Sequence, residues 1–145
     1  MPKAVYPYVA IPLAASPAYP KGTVAHRPLL PATITAANGE SLRCMALPDS
    51  GADACLFPLS LALLLNIDVL KLPKALTGGV GGQSNVTYYD TLSIDLGNRI
   101  AFTSYVGFTA GMDAVGFGLL GQAGFFDAHN VEFRHKQKIF TIEKI

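Results

Sequence analysis

A turn that carries a carboxylate follows an apolar stretch in the first half of this chain. The stretch is Cys44-Met45-Ala46-Leu47-Pro48, and the turn is Asp49-Ser50-Gly51-Ala52. An apolar run that stops at a Gly-containing turn predicts the end of a strand, so we expect Asp49 to point from a strand end into a cleft. The same residues are also typical of an ordinary turn opened by Asp. Because the chain has no second Asp-Ser-Gly or Asp-Thr-Gly, paired-carboxylate chemistry would need its second acid from a symmetric partner.

Short β-type runs separated by turn signals extend over most of the chain. Residues 5–13 predict a Pro-punctuated extended segment, and residues 14–31 predict an irregular connection. Asn38-Gly39 and Gly97-Asn98 are typical of tight turns between antiparallel strands. The predicted hairpins join residues 32–37 with 41–47, 86–96 with 100–108, and 131–133 with 139–142.

The remaining segments predict two more strands and two short helices. Residues 69–76 favour a strand, and the unbroken apolar character of residues 117–120 predicts a short buried strand. Residues 60–67 predict a helix that opens at Ser60 and is largely buried, because its leucines cover most of its circumference. Residues 122–128 can form about two helical turns. The pattern indicates a mostly β architecture with a small, closed, barrel-like sheet.

Composition limits the number of domains and the classes of partner. At 145 residues, half of them apolar, the chain predicts one compact unit. A net charge of +1 with 14% charged residues gives no electrostatic basis for binding nucleic acid or an acidic membrane surface. Prolines interrupt any early apolar run that could cross a membrane, so a cytoplasmic location is expected. These prolines are Pro2, Pro7, Pro12 and Pro17.

Cysteine, histidine and lysine residues favour structural roles. Cys44 and Cys55 are interpreted as buried thiols, since nothing in a count of two demands a disulfide and no histidine can be placed beside either. The spacing of His129 and His135 favours packed or solvated rings, and no metal is assigned to them. A mild basic end is interpreted as an aid to solubility. It consists of Arg134, Lys136, Lys138 and Lys144.

Two glycine-rich elements follow the Asp49 turn in a recognisable order. The first is Gly78-Gly79-Val80-Gly81-Gly82, and the second is Gly118-Leu119-Leu120-Gly121. Asp-Ser-Gly-Ala-Asp, a Gly-rich hairpin tip and an apolar-apolar-Gly element together resemble the retropepsin family of retroviral-type aspartic proteases, over residues 31–142. The resemblance implies a mostly β, small closed barrel-like acid protease fold with one or two short helices. It also implies an extended or interface segment at residues 1–30 and a protease domain at residues 31–145.

The resemblance further implies an aspartic endopeptidase that acts as a homodimer on a peptide or protein substrate, without metal or cofactor. Asp49 would supply one acid of a shared dyad, Ser50 would brace the two turns across the dimer axis, and Gly51 would let the backbones approach. The implied substrate-binding set comprises Ala52, Asp53, Gly78, Gly79, Val80, Gly81, Gly82, Leu119 and Leu120. Gly121 would lie where a side chain would collide with the Asp49 turn.

The sequence departs from the family pattern at two positions near the implied site. Ser50 stands where the family often has Thr, which keeps the hydroxyl and loses a packing methyl. Gln122 stands where the family often has a basic residue, so Asp53 would lose its ion-pair partner. Arg27, Arg99 and Arg134 remain open as replacements. A noncatalytic peptide-binding or dimerisation module with the same fold is therefore the alternative function.

Both glycine-rich elements also have other interpretations. Residues 78–82 are typical of a flexible loop, but they lack the Lys-Ser or Lys-Thr that a phosphate-binding loop requires, because Gln83-Ser84 follows. Residues 116–121 match the spacing of a dinucleotide fingerprint, but too little chain follows to complete that fold. A small nucleotide-binding protein is therefore the least favoured of the three functions.

Overall fold

The computed structural model describes residues 2–78 and 84–145. These residues form twelve strands, one α-helix and three short 3-10 turns. The strands are β1 (Lys3–Pro7), β2 (Val9–Leu13), β3 (Thr23–Arg27), β4 (Leu30–Thr35), β5 (Ser41–Pro48), β6 (Cys55–Pro58), β7 (Lys74–Gly78), β8 (Ser84–Asp95), β9 (Ala101–Thr109), β10 (Gly118–Leu120), β11 (His129–Arg134) and β12 (Ile139–Lys144). The helix is α1 (Leu59–Leu64), and the 3-10 turns are Val69–Lys71, Ala110–Met112 and His135–Gln137.

Six strands close into a barrel in the order β4-β5-β10-β6-β9-β8, because β8 pairs with β4 as well as with β9. β7 pairs with β8 outside this ring. Closure leaves the six strands without a free edge along the paired stretches. The structure confirms the predicted mostly β, closed barrel-like fold with a short helix.

Alternating side chains fill the barrel. Along β4, Leu30, Ala32 and Ile34 are buried and the residues between them are not. Such alternation is what a strand with one face on the core requires. Phe57 and Phe108, on paired strands, are also fully buried, with ring centroids 6.3 Å apart. Burying each such side chain contributes roughly 1.5–3 kcal/mol relative to leaving it exposed, so this core holds the strands that carry the site.

The first strand belongs to the same hydrophobic core. β1 pairs with β12, which pairs with β11, in a three-stranded sheet. Tyr6 is buried, stacks on Phe140 at 5.3 Å between ring centroids, and donates from its hydroxyl to the Leu96 carbonyl oxygen at 3.2 Å. β2 and β3 form a separate two-stranded sheet. The division of the chain at residue 30 stays a prediction.

All three predicted hairpins are confirmed, and two other segments differ from expectation. The pairs β4–β5, β8–β9 and β11–β12 lie where the turn signals placed them. The expected irregular connection over residues 14–31 is wrong in part, since it contains β3 and the start of β4. Residues 69–71 form a 3-10 turn, so the strand predicted from residue 69 begins only at Lys74. Because prolines disfavour central strands, the proline-rich composition of this region did not predict β3. Its partner β2 accommodates Pro12, since β2 and β3 form a separate two-stranded sheet.

The helix is shorter and less buried than expected. Pro58, not Ser60, is the N-cap residue of α1, and no side chain caps it. Ala62 is the buried residue of this helix, whereas Leu63 and Leu64 are 58% and 69% exposed. With six residues, the helix is also too short to cross a membrane. The prediction of a largely buried helix is therefore wrong.

The second predicted helix, over residues 122–128, is absent from the described structure, which has turns there. Gly124 adopts a φ of +98°, a left-handed conformation that interrupts a right-handed helix. The amides of Phe126 and Asp127 donate to carbonyls five residues earlier, which is not the α-helical spacing. A Cβ at Gly124 would also collide with Ser104, so the fold requires glycine at this position.

Candidate active site

The Asp49 turn, residues 49–52, is held by a strand from a distant part of the chain. β10 lies between β5 and β6, parallel to the first and antiparallel to the second. Leu119 is in register with both Leu47 and Leu56. At the end of this pairing the Asp49 amide donates to the Leu120 carbonyl oxygen at 2.9 Å. The barrel therefore fixes the residue that carries the carboxylate at the carboxyl end of β5.

Two hydrogen bonds close the turn on itself. The Gly51 amide donates to Asp49 Oδ1 at 2.9 Å, and the Ala52 amide donates to the Asp49 carbonyl oxygen at 3.1 Å. Asp49 is half-buried, whereas Ser50 and Gly51 are exposed. Among residues 2–78 and 84–145, no hydrogen bond to Asp49 Oδ2 is recorded. One carboxylate oxygen is thus oriented by the backbone while the other can accept a proton or a hydrogen bond.

Gly121 packs against the back of this turn with no room for a side chain. A Cβ there would collide with the Ala54 carbonyl group and lie 2.8 Å from the Ala52 carbonyl oxygen. The contact lets the two backbones bond directly, since the amides of Gln122 and Ala123 donate to the carbonyls of Ala52 and Asp53 at 2.8 and 2.9 Å. The predicted collision at Gly121 is confirmed.

Gln122 makes a contact that the sequence did not reveal. Its Nε2 donates to the Ser50 carbonyl oxygen at 2.8 Å. Asp53 is exposed, and no described residue forms an ion pair with it. Arg134 instead pairs with Glu132 at 2.6 Å, so it is not the replacement partner that the sequence left open. In the sequence, Gln122 was notable only for lacking the positive charge of a basic residue, although its side-chain amide retains a hydrogen-bond donor.

A buried thiol lies behind the same backbone. Cys55 Sγ accepts from the Gly121 amide at 3.4 Å and lies 3.7 Å from the Ala123 carbonyl oxygen. Burial raises the pKa of Cys55, and it raises the pKa of the half-buried Cys44 to about 11. Both are therefore protonated near neutral pH, which makes them weak nucleophiles. The expectation of a buried thiol is confirmed for Cys55, whereas Cys44 is only half-buried.

Two strands extend from the barrel on the side of the predicted glycine cluster. β7 pairs with β8 from Gly78 opposite Ser84, whereas β9 joins β8 only from Thr87 onward. We call β7 together with residues 84–86 the arm. Leu76 and Val86 face each other across it and are 75% and 39% exposed. The expectations for Gly79, Val80, Gly81 and Gly82 lie outside the described residues.

The structure thus brings most of the predicted site residues together. Asp49, Ser50, Gly51, Ala52 and Asp53 follow one another around the turn, and Leu119 and Leu120 lie beside it in β10. Gly78 ends β7 in the arm, and no hydrogen bond between the arm and the Asp49 turn is recorded among the described residues. In the same described part of the chain, no group of three His, Cys, Asp or Glu side chains could hold a metal ion.

Comparison with known proteins supports the architecture. No protein-family model and no curated protein matches this sequence. Ten solved chains match in structure, among them the crystal structure of a retropepsin-like aspartic protease from Rickettsia conorii. It matches with a TM-score of 0.56 and 19% sequence identity, over 92% of this chain and 98% of that chain. This chain has the retropepsin-like fold. At this identity the likeness concerns the retropepsin-like fold alone.

Proposed function

We propose that this chain is an aspartic endopeptidase that acts as a homodimer, with Asp49 of each copy forming the catalytic dyad. The observation that carries the proposal is the Asp49 turn, which is held by β10 and Gly121 inside a barrel of retropepsin-like fold. A single chain contributes one such turn, so the second carboxylate comes from a second copy. The solved structure with the same fold bears the description of an aspartic protease, which agrees with this assignment.

The chemistry follows from two carboxylates in one site. At about 3 Å apart they cannot both be ionised, so they share one proton. The ionised carboxylate takes a proton from a water molecule, whose oxygen attacks the peptide carbonyl carbon, while the protonated partner donates to the carbonyl oxygen. The tetrahedral intermediate then collapses as a proton passes to the leaving nitrogen and the C–N bond breaks. No covalent bond to the enzyme forms.

The substrate in this proposal is an extended peptide. The β7 edge of the arm has no second strand partner among the described residues, so its backbone groups are free to bond a peptide strand. Asp53, Ala52 and Leu119 would line the substrate beside the dyad, and residues 78–82 would cover it. The side chain of Leu120, for which a substrate contact was also predicted, is fully buried in the core. Ser50 and Gly51 would meet their counterparts at the two-fold axis, where exposed small residues permit close approach.

Cleavage of a mixed peptide library from acidic to neutral pH tests the proposal. We expect wild-type cleavage to be blocked by a statine-type inhibitor. D49N should lower kcat/KM at least about 1,000-fold, because an amide cannot take or share the proton. Asp68, an exposed residue paired with Lys71 at 3.7 Å, provides the matched control D68N, which should cleave normally.

Sedimentation of both variants distinguishes lost chemistry from lost assembly. D49N should remain dimeric, since the turn keeps its bonds to Leu120 and Ala52 through backbone groups. Inhibitor-insensitive cleavage, or equal activity of D49N and wild type, would contradict the proposal. Peptide binding without any cleavage would instead identify the noncatalytic binding module.

A further inference from the structure

The side chain of Gln122 reaches the turn that carries Asp49. Its Nε2 lies 2.8 Å from the Ser50 carbonyl oxygen, which is a good distance for an N–H···O hydrogen bond. The backbone of Gln122 is fixed on both sides, because its amide donates to the Ala52 carbonyl oxygen at 2.8 Å and its carbonyl accepts from the Asp127 amide at 3.1 Å. The side chain therefore starts from a well-determined position.

The bond acts on Asp49 through a single peptide plane. The Ser50–Gly51 peptide is trans, since the described chain has no cis bond, so its C=O and N–H point in opposite directions. Gln122 holds the C=O end, and the N–H end donates to Asp49 Oδ1 at 2.9 Å. Fixing the carbonyl thus fixes the donor that orients the carboxylate. Each bond also polarises the peptide group and strengthens the other.

The link is electrically neutral. The family resemblance implies that a basic residue at this position would pair with Asp53, and such a pair would weaken with salt or on protonation of the carboxylate. Here Asp53 is exposed and forms no ion pair with any described residue, while the Gln122 amide bonds the turn directly. The order of the turn should therefore be independent of the charge on Asp53.

We propose that Gln122 is a positioning residue, which orients the Asp49 carboxylate through the Ser50–Gly51 peptide by a neutral hydrogen bond. The catalytic part of this inference rests on the proposed function, whereas the hydrogen-bonded link can be measured without any cleavage. Q122M removes the donor and keeps the length of the side chain. Q137M makes the same change on the exposed turn between β11 and β12, and provides the matched control.

The first measurement is solvent exchange of the Gly51 amide proton by NMR. We expect Q122M to speed this exchange about three- to tenfold, the range of one net hydrogen bond. Q137M should leave it unchanged. Exchange of the Gly51 amide proton in D53N should equal that in wild type. Raising the ionic strength from about 0.05 to 1 M should leave wild-type exchange unchanged. If Q122M does not fold, Q122E against Q137E supplies the same comparison.

The second measurement is peptide cleavage. Q122M should lower kcat about three- to tenfold with little change in KM, because the carboxylate is misoriented while the substrate contacts remain. Unchanged Gly51 exchange in Q122M, or faster exchange in D53N, would overturn the neutral link. Faster exchange with unchanged kcat would overturn the positioning role. A wild type that cleaves nothing would refute the proposed function, and exchange alone would then decide the link.

Discussion

The Asp49 turn and the arm are built in opposite ways. Bonds to Leu120, Gln122 and Ala123 tie the turn and the residue after it to one distant segment of the chain, residues 120–123. In the arm, residues 84–86 of β8 pair with β7 and not with β9, and the Leu76 side chain is 75% exposed. Two-stranded sheets are marginally stable in water, whereas packed, multiply bonded segments open only at high free-energy cost.

Under the proposed function, this difference would separate two tasks of one molecule. The reacting carboxylate has to be held to a fraction of an ångström, and the barrel supplies that constraint. A segment that receives a substrate has to move, and an element with few buried contacts can do so at low cost. Substitutions near the turn should therefore affect the fold, whereas substitutions in the arm should affect mainly substrate binding.

Among substitutions at the turn and the segment behind it, the largest loss of stability is expected from G121A. A Cβ there meets the Ala54 carbonyl group, which is backbone and cannot rotate away. Separating the two segments would break the bonds of Gln122 and Ala123 to the turn. We expect a loss of about 3 kcal/mol in the free energy of unfolding, measured by urea denaturation.

G116A is a control for this experiment. Nothing lies within 4 Å of a Cβ placed at Gly116, whose φ is +80°. It should therefore lose only the strain of a left-handed alanine, about 1 kcal/mol. Equal losses in the two variants would contradict the packing argument for Gly121.

A smaller, pH-dependent effect is expected at His129, which supports the segment behind the turn. Its Nδ1 lies 2.9 Å from the Phe125 carbonyl oxygen, and its Nε2 is buried without a partner among the described residues. Burial lowers the pKa of His129 from its usual 6.5. The unfolded chain therefore binds a proton at a higher pH than the folded chain, so stability is lost as pH falls below 6.5.

Urea denaturation at several pH values measures this effect. Between pH 6.5 and the lowered pKa, wild type should lose up to about 1.4 kcal/mol per pH unit relative to H129Q. H129Q is neutral throughout and retains an amide donor for Phe125. Parallel pH profiles for the two proteins would show that His129 does not titrate differently on folding.

The smallest effect on stability is expected in the arm. L76S removes an exposed apolar side chain and should change the free energy of unfolding by less than about 0.5 kcal/mol. Under the proposed function it should raise KM several-fold, because a peptide on the arm would lose an apolar contact. L92A, at a fully buried position of β8, should cost about 2–5 kcal/mol. Similar losses for L76S and L92A would remove the distinction between arm and barrel.

Turn chemistry explains why so much of the barrel could be predicted. Asn38-Gly39 and Gly97-Asn98 each interrupt alternating apolar runs, and both hairpins form there. The helix expected at residues 122–128 could not be excluded from sequence, because the left-handed φ of Gly124 and its close approach to Ser104 on a distant strand are features of the folded chain. The exposure of Leu63 and Leu64 depends likewise on which neighbours the fold supplies.

The candidate site, like the barrel, could be predicted only in part. The approach of Gly121 to the turn could be predicted, since a resemblance in the order of motifs carries information about backbone contacts. The Gln122 bond could not, because a residue type specifies a donor but not the direction in which its side chain points. The roles of the site residues in binding and cleavage stay predictions.

The insertion of β10 between β5 and β6 has a consequence for biosynthesis. Asp49 emerges from the ribosome long before Leu120, yet its amide bonds the Leu120 carbonyl. Pairing of such distant segments is a late event in folding. A nascent chain would therefore carry its acidic residue in an unformed turn, and under the proposed function hydrolytic competence would arrive only after residue 120 has been synthesised.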